Sequence, residues 1–342
     1  MTAYYEPIIY EVPAEEDGFI LKTILQNRMH LSRKLLSRLK LTEQGITVNG
    51  ERQYISVRVH AGDRIEVRML QEESDDILPQ ELPLAILYED EHLLVVNKAA
   101  GMIVHPTHGH YVNTLANGVV HYWQQQGKSY RFRPIHRLDQ ETSGTLAIAK
   151  NPYVHQQVSE QMQAHRVKKE YVALVHGVMR DEEGTVTGPI DRDPEEPHIR
   201  IVTETGYPAV THYKVERRYR DATLVRLWLE TGRTHQIRVH MLHLGHPLVG
   251  DKLYKLKPAA ADPLVEPRQE LESAAHAHDR GIQAVRESLA AEDGSPSYGM
   301  ERHALHACTL GFTHPGTKQW IEFEAPLPDD IRASLELLET IG

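Results

Sequence analysis

A chain of 342 residues is long enough for one large core and a second, smaller one. Its 40% hydrophobic and 25% charged residues fit a soluble globular protein, with no apolar run near the roughly 20 residues that cross a bilayer. A single cysteine, Cys308, excludes an intrachain disulfide and a thiolate metal cluster.

The N-terminal stretch lacks the basic and apolar segments of a secretory signal, so a cytoplasmic setting is expected. The formal charge of -10 argues against a nucleic-acid partner until its distribution is read. Residues 18–70 carry ten Lys and Arg against four Asp and Glu, while residues 1–17 and 71–91 together hold thirteen acids and no Lys or Arg. Phosphate binding follows the local field rather than the total.

Residues 1–17 read as an N-terminal extension. From residue 18 to 70 the pattern is that of a small module. Phe19, Ile20, Leu21, Ile24 and Leu25, then Leu31 to Leu39, have helical periodicity, with Ser32 as the N-cap of a second helix. Arg33, Lys34 and Arg38 then lie along an exposed face suited to phosphates. The segment 45–50 is a strand ending in an Asn-Gly turn, and Val57, Val59, Ile65 and Val67 alternate around a turn at Ala61-Gly62-Asp63, which predicts a hairpin. Helix, helix, small sheet resembles the S4 RNA-binding domain, with the VNG and GDRIEV stretches its closest matches.

Residues 71–83 are acidic, contain two prolines and read as a linker. A larger domain then runs over residues 84–342. Strands are predicted at 85–88, 93–96, 171–175, 223–230 and 320–323, and helices at 153–164 and 234–243. Without a regular strand-helix alternation, the fold class is α+β. Residues 257–299, rich in Ala, Pro and acids, read as a mobile insertion with a helix at 282–291.

Two polar segments carry chemistry. His136-Arg137-Leu138-Asp139-Gln140-Glu141-Thr142-Ser143-Gly144 places a carboxylate in a loop leading into an apolar strand. By itself an Asp beside Arg is more often a structural ion pair than a catalyst. Thr231-Gly232-Arg233-Thr234-His235-Gln236-Ile237-Arg238-Val239-His240 supplies hydrogen-bond donors entering a helix, suited to a phosphate or a carboxylate. Between them lies Lys169-Glu170-Tyr171.

In this order and spacing, HRLDQETSG, KEY and TGRTHQIRVH resemble the RluA-type pseudouridine synthases. The likeness spans residues 84–328 and includes NKAAGM with His105-Pro106, GHPLVGD with Tyr254, and Arg302 to Ala307. It implies a pseudouridine synthase fold with a mixed, mostly antiparallel central sheet, often preceded by an S4 domain. It also implies that Asp139 is the catalytic carboxylate, that Tyr171 packs on the flipped base, and that Arg238 pairs with Asp139. Arg137 would enter the vacated RNA stack and Leu305 would floor the pocket. His136, Arg233 and the Arg33, Lys34, Arg38 face are further RNA-contact candidates. Ala99 stands where the family often has Pro, which bears on the stiffness of one turn.

The implied chemistry suits these residue types. A uridine must leave its stack before its glycosidic bond is reachable. The cleavage builds positive charge on the sugar, which an ionised Asp139 can stabilise, attack or deprotonate. The retained uracil rejoins through C5, so no cofactor and no metal are expected. The implied partner is RNA, ribosomal RNA of the large subunit first and transfer RNA as the alternative, with no membrane and no obligate protein partner. Two rival readings fit the sequence less well. Histidine metal sites (His105, His108 and His110, or His240, His243 and His246) lack a metallopeptidase pattern. A binding factor without turnover would have no need of Asp139, Tyr171 and Arg238 together.

Overall fold

The computed structural model describes residues 4–255 and 296–341. The first 70 residues contain strand β1 (Ile8–Glu11), helices α1 (Leu21–Asn27) and α2 (Arg33–Leu41), and strands β2 (Ile46–Val48), β3 (Glu51–Arg52) and β4 (Arg64–Val67). Ser32 caps α2 as expected, its hydroxyl accepting from the Leu35 amide at 3.2 Å, and Leu35, Leu36 and Leu39 are buried beneath the basic face. Asn49 and Gly50 take φ of 51° and 84°, the left-handed pair that a two-residue hairpin turn between β2 and β3 requires.

Two expectations for this module change. The sheet order is β1-β4-β2-β3, so the sheet begins inside the stretch read as an extension, with Ile8 opposite Val67. The hairpin around residues 61–63 does not form either. Val57 and Val59 instead bond to the chain entering α1, the Leu21 amide donating to Val57 and the Val59 amide to Phe19, both at 2.9 Å. Alternation identifies which side chains face inward, not which strand lies alongside.

Residues 71–83 form neither helix nor strand, yet they clamp rather than tether. Glu72 pairs with Arg38 of α2 and, at 2.6 Å, with Arg133 of the large domain. The Ser74 hydroxyl accepts from the Phe132 amide at 2.8 Å. Direct contacts also join the two parts. The Tyr153 hydroxyl donates to Met29 O at 3.0 Å, the Ser32 amide donates to Gln156 at 3.0 Å, and one apolar cluster runs from Leu21 and Leu25 to Val154 and Val158.

The large domain follows as β5 (Ala85–Glu89), β6 (Leu93–Lys98), α3 (Leu115–Gln125), β7 (Ser143–Ala149), α4 (Pro152–Gln163), β8 (Lys168–His176), β9 (Glu183–Thr187), β10 (Ile190–Arg192), β11 (Arg200–Val202), β12 (Val210–Arg218), β13 (Ala222–Leu229), α5 (Gln236–His243), β14 (Leu305–Thr313), β15 (Trp320–Glu324) and α6 (Asp329–Ile341). Among the described residues nine strands form one sheet, ordered β5-β6-β7-β14-β8-β13-β12-β9 with β15 beside β14. Only β7 and β14 run parallel, which agrees with the expected mixed, mostly antiparallel α+β fold. The uninterrupted apolar runs of β6 and β7 reflect burial on both faces. Leu93, Val95, Ala147 and Ala149 pack toward α4, and Leu94, Val96, Leu146 and Ile148 toward α3.

The β7–β14 contact is unusually close. Gly144 has φ of 121°, and a Cβ there would lie 2.2 Å from Ala307 O, so only glycine allows β7 to meet β14 here. Most of the expected 257–299 insertion, with its 282–291 helix, lies outside the described residues. Its last residues are packed: Tyr298 is buried against Ile331 and Leu338, and the Ser334 hydroxyl donates to its carbonyl at 2.8 Å.

Candidate active site

The loop carrying Asp139 is pinned from beneath. The buried Lys98 ammonium donates to Ala99 O and Met102 O at 2.8 Å and to Gln140 O at 3.0 Å. Arg302, held by Asp330 at 2.7 Å, donates to Glu141 O at 2.8 Å. The Thr142 hydroxyl meets His303 Nε2 at 2.8 Å, and the Ser143 hydroxyl meets His306 Nδ1 at 2.9 Å. Burial lowers the Lys98 pKa to about 7, and burial followed by the Arg238 charge lowers His303 to about 3. His303 is therefore a neutral bridge at physiological pH.

Opposite this loop, the 231–236 turn is closed on itself by Gln236. Its Oε1 accepts from the Thr231 hydroxyl at 2.8 Å and the Arg233 amide at 2.9 Å, while its Nε2 donates to Val210 O and the Thr211 hydroxyl at 3.0 Å. His235 precedes α5 in a left-handed conformation, φ 57°. Its Nδ1 contacts the Tyr254 hydroxyl at 2.7 Å, and its Nε2 reaches 3.9 Å from Asp139 Oδ2. Burial depresses the His235 pKa against the raising influence of Asp139, so the charged partner of Asp139 is Arg238.

Arg238 is 5% exposed and its Nη1 lies 3.6 Å from Asp139 Oδ2. The expected pairing is therefore an ion-pair contact without a short hydrogen bond. The bidentate partner is Asp251, with Nε to Oδ2 at 2.7 Å and Nη2 to Oδ1 at 2.8 Å. The Tyr254 ring lies beneath the guanidinium, 4.7 Å from its carbon to the ring centre. Burial pushes the Asp251 carboxyl up, but its hydrogen bonds to Arg238 outweigh this and hold it below the ordinary range. Asp139 keeps part of its surface open, at 28% of the side chain, whereas Asp251 has none. One carboxylate orients the arginine and the other faces the cleft.

Tyr171 lies on the same face of the sheet as Leu138, Ile237 and Leu305, in one apolar cluster. Burial, and then the Asp139 charge, raises its pKa, so it presents a neutral phenol ring. The remaining sequence candidates separate. Arg137 is exposed beside Asp139. Arg233 is exposed but donates to Pro208 O at 3.1 Å, with its guanidinium 5.5 Å from the centre of the Tyr207 ring. His136 turns inward, its Nε2 3.2 Å from Thr145 O, and burial lowers its pKa to about 4. That makes it a neutral brace for the loop rather than a cation for RNA. Arg33 and Lys34 stand exposed on α2, while Arg38 beside them is engaged by Glu72.

The sequence motifs contain Asp251, Tyr254, Lys98, His235, Arg302 and His303, but none of the six is given a role there. Their common signal was a polar residue within an apolar or glycine-rich context. Among the described residues, no three His, Cys, Asp or Glu side chains gather to hold a metal ion. His240, one of the metal candidates, contacts the Thr211 hydroxyl and Gly188 O, both at 2.8 Å.

The profile of the family described as RNA pseudouridylate synthase matches residues 92–243, and that of the RluD ribosomal pseudouridine synthase N-terminal domain matches residues 8–65. The chain is 38% identical over 300 residues to the uncharacterized RNA pseudouridine synthase YlyB of Bacillus subtilis, covering 87% of this chain and 86% of that protein. The chain belongs to the RNA pseudouridylate synthase family. This synthase, an isomerase, is also 38% identical over 284 residues to ribosomal large subunit pseudouridine synthase D of Pseudomonas aeruginosa, covering 82% of this chain and 79% of that protein. Its fold is shared with human RNA pseudouridylate synthase domain containing 4, with a TM-score of 0.54, 24% identity, and coverage of 75% of this chain and 93% of the other. The RluA-type resemblance read from HRLDQETSG, KEY and TGRTHQIRVH therefore stands.

Proposed function

We propose that this synthase isomerises uridine in ribosomal RNA of the large subunit, acting in the cytoplasm without an obligate protein partner, with Asp139 as its catalytic carboxylate. The observation that carries the assignment is the partly open Asp139 carboxylate, 3.6 Å from a buried arginine and on the side of the sheet that holds Tyr171. Relatives named ribosomal large subunit pseudouridine synthase D support the choice of RNA.

The target uridine leaves its stack, the Tyr171 ring receives the base, and Arg137 takes the vacated place. The N1–C1′ bond then breaks as Asp139 stabilises, attacks or deprotonates the sugar. Uracil turns within the cleft and C5 bonds to C1′, while the C5 proton is lost and N1 gains one. Reactants and product have the same composition, so the net change needs no oxidant or reductant. Arg238, fixed by Asp251, lies 3.6 Å from Asp139 and orients its carboxylate. Arg33 and Lys34 on α2 add sequence-independent affinity for phosphates.

The test is pseudouridine mapping by carbodiimide-dependent primer extension on ribosomal and transfer RNA from cells lacking the gene, complemented with wild type or Asp139→Ala. Sites that vanish on deletion and return only with wild type establish the target and the need for Asp139. Sites confined to transfer RNA would replace the ribosomal assignment. Restoration by Asp139→Ala would remove Asp139 from the chemistry.

A further inference from the structure

Lys169 has a position that the mechanism above leaves unused. It begins the Lys169-Glu170-Tyr171 segment of β8, and side chains two apart on a strand share a face, so Lys169 projects on the Tyr171 side about 7 Å away along the strand. Its ammonium sits between the two loops that make the site. A Cβ on Gly232, in the turn before α5, would be 3.9 Å from Lys169 Nζ, and the charge of Lys169 is felt at His136, in the loop of Asp139. The side chain is half-buried.

Among the described residues no carboxylate pairs with it. This contrasts with its neighbour Lys168, which is bound to Glu322 at 2.8 Å and near Glu170 at 3.6 Å. Burial lowers the Lys169 pKa with no carboxylate offsetting it. A half-buried, unpaired cation is costly to keep unless an anion arrives to meet it. Gly232 fits that picture. Its φ lies outside the left-handed region, so its backbone does not demand glycine, and the absent side chain leaves the approach to the ammonium open.

We propose that Lys169 binds a backbone phosphate of the RNA next to the flipped uridine, fixing the strand while the base occupies the Tyr171 ring. This rests on the reading of the chain as an enzyme acting on uridine in RNA. A phosphate suits the site better than a base carbonyl, because only a full negative charge offsets the partly desolvated ammonium. The distance along β8 matches the separation of a base from its own backbone. Lys169 is thus a binding residue that sets the register of the strand.

The experiment measures RNA affinity as a function of salt, with single-turnover isomerisation in parallel, on the full chain and the substrate RNA identified by the mapping above. One lost phosphate contact reduces the slope of log affinity against log salt by about 0.7 for single-stranded RNA. Lys169→Met is expected to show that loss of slope together with weaker binding at low salt, and Lys169→Arg to restore the slope. Gly232→Asp, which leaves Lys169 in place but sets a competing carboxylate beside it, is expected to reduce the slope similarly. An unchanged slope in both Lys169→Met and Gly232→Asp overturns the phosphate contact, whatever happens to turnover. Failure of the wild type to isomerise any uridine would instead overturn the enzyme reading, which the slope alone does not test.

Discussion

Replacing Asp251 by Ala should destabilise the protein and disarm it together. The Asp251 side chain is fully buried and holds Arg238 through hydrogen bonds of 2.7 and 2.8 Å. It also accepts from the Leu253 and Tyr254 amides at 2.9 and 3.1 Å. Two charge-assisted bonds at about 1.5–3 kcal/mol each give about 3–6 kcal/mol. That matches the about 3–5 kcal/mol expected when one partner of a buried pair is removed and the other charge is stranded. At about 2–4 °C per kcal/mol for a domain of this size, the thermal midpoint should fall by about 6–20 °C. Freed of its fork, the guanidinium loses its fixed distance to Asp139, and a displacement of ~1 Å near a reacting centre costs on the order of 10²-fold in turnover.

Urea unfolding followed by circular dichroism, with single-turnover isomerisation of the same samples, reads both effects. The double variant Arg238→Met with Asp251→Leu should recover stability relative to Asp251→Ala while staying inactive, because it leaves no uncompensated charge. A loss below about 1 kcal/mol with turnover near wild type would refute the assignment, since that is the scale of an exposed, loosely held pair.

Tyr171→Leu should slow single-turnover isomerisation by about 5–150-fold, as a base-aromatic stack is worth about 1–3 kcal/mol. Tyr171→Phe keeps the ring and should keep RNA affinity near wild type; equal affinity losses in both variants would argue against stacking. Lys98→Met removes three carbonyl contacts beneath the Asp139 loop and should lower the isomerisation rate far more than RNA affinity, with a KM effect as large as the rate effect counting against it. Stability should fall on acidification from pH 7 to 5. His136 and His303 have pKa values of about 4 and about 3 in the fold against about 6.5 unfolded. The unfolded chain therefore binds more protons across that window. For His136 the full effect is about 3 kcal/mol, present above pH 6.5 and lost as pH falls toward 4. Urea midpoints flat between pH 7 and 5 would contradict the burial of both rings.

The elements that sequence made legible share a strong local signal. Ser32 ahead of Arg33–Leu41 and the Asn49-Gly50 turn are decided within a few residues, and both form as expected. Where the deciding partner is remote, the pattern was silent. Val57 and Val59 alternate like a strand but lie against the chain before α1. The strand Ile8–Glu11 looked like part of a tail because its pairing with Arg64–Val67 lies more than fifty residues away. Leu115–Gln125 was not anticipated, its Thr114–Asn117 capping box being less conspicuous than the Ser/Thr-x-x-Glu form. In the site, Asp139, Tyr171 and Arg238 were drawn from motifs and do come together. The principal partner of Arg238 was missed, since whether an arginine bonds to Asp139 or Asp251 depends on depth of burial, which spacing does not encode. His136 was misjudged for the same reason. A histidine beside Arg137 reads as RNA-facing until its ring is found turned toward Thr145.

The strand order carries a consequence for how the molecule is made. β14 lies between β7 and β8, yet 128 residues separate the end of β8 at His176 from Leu305. At about 5–20 residues per second of synthesis, the ribosome needs about 6–26 s to supply that central strand. Through this interval β7 and β8 have unsatisfied edges, the state in which a nascent sheet is most open to wrong partners. Arg302 and His303, which brace the Asp139 loop, come out with the same late segment. A chain stalled before Leu305 would therefore expose two sheet edges and lack the side chains that hold the 139–143 loop.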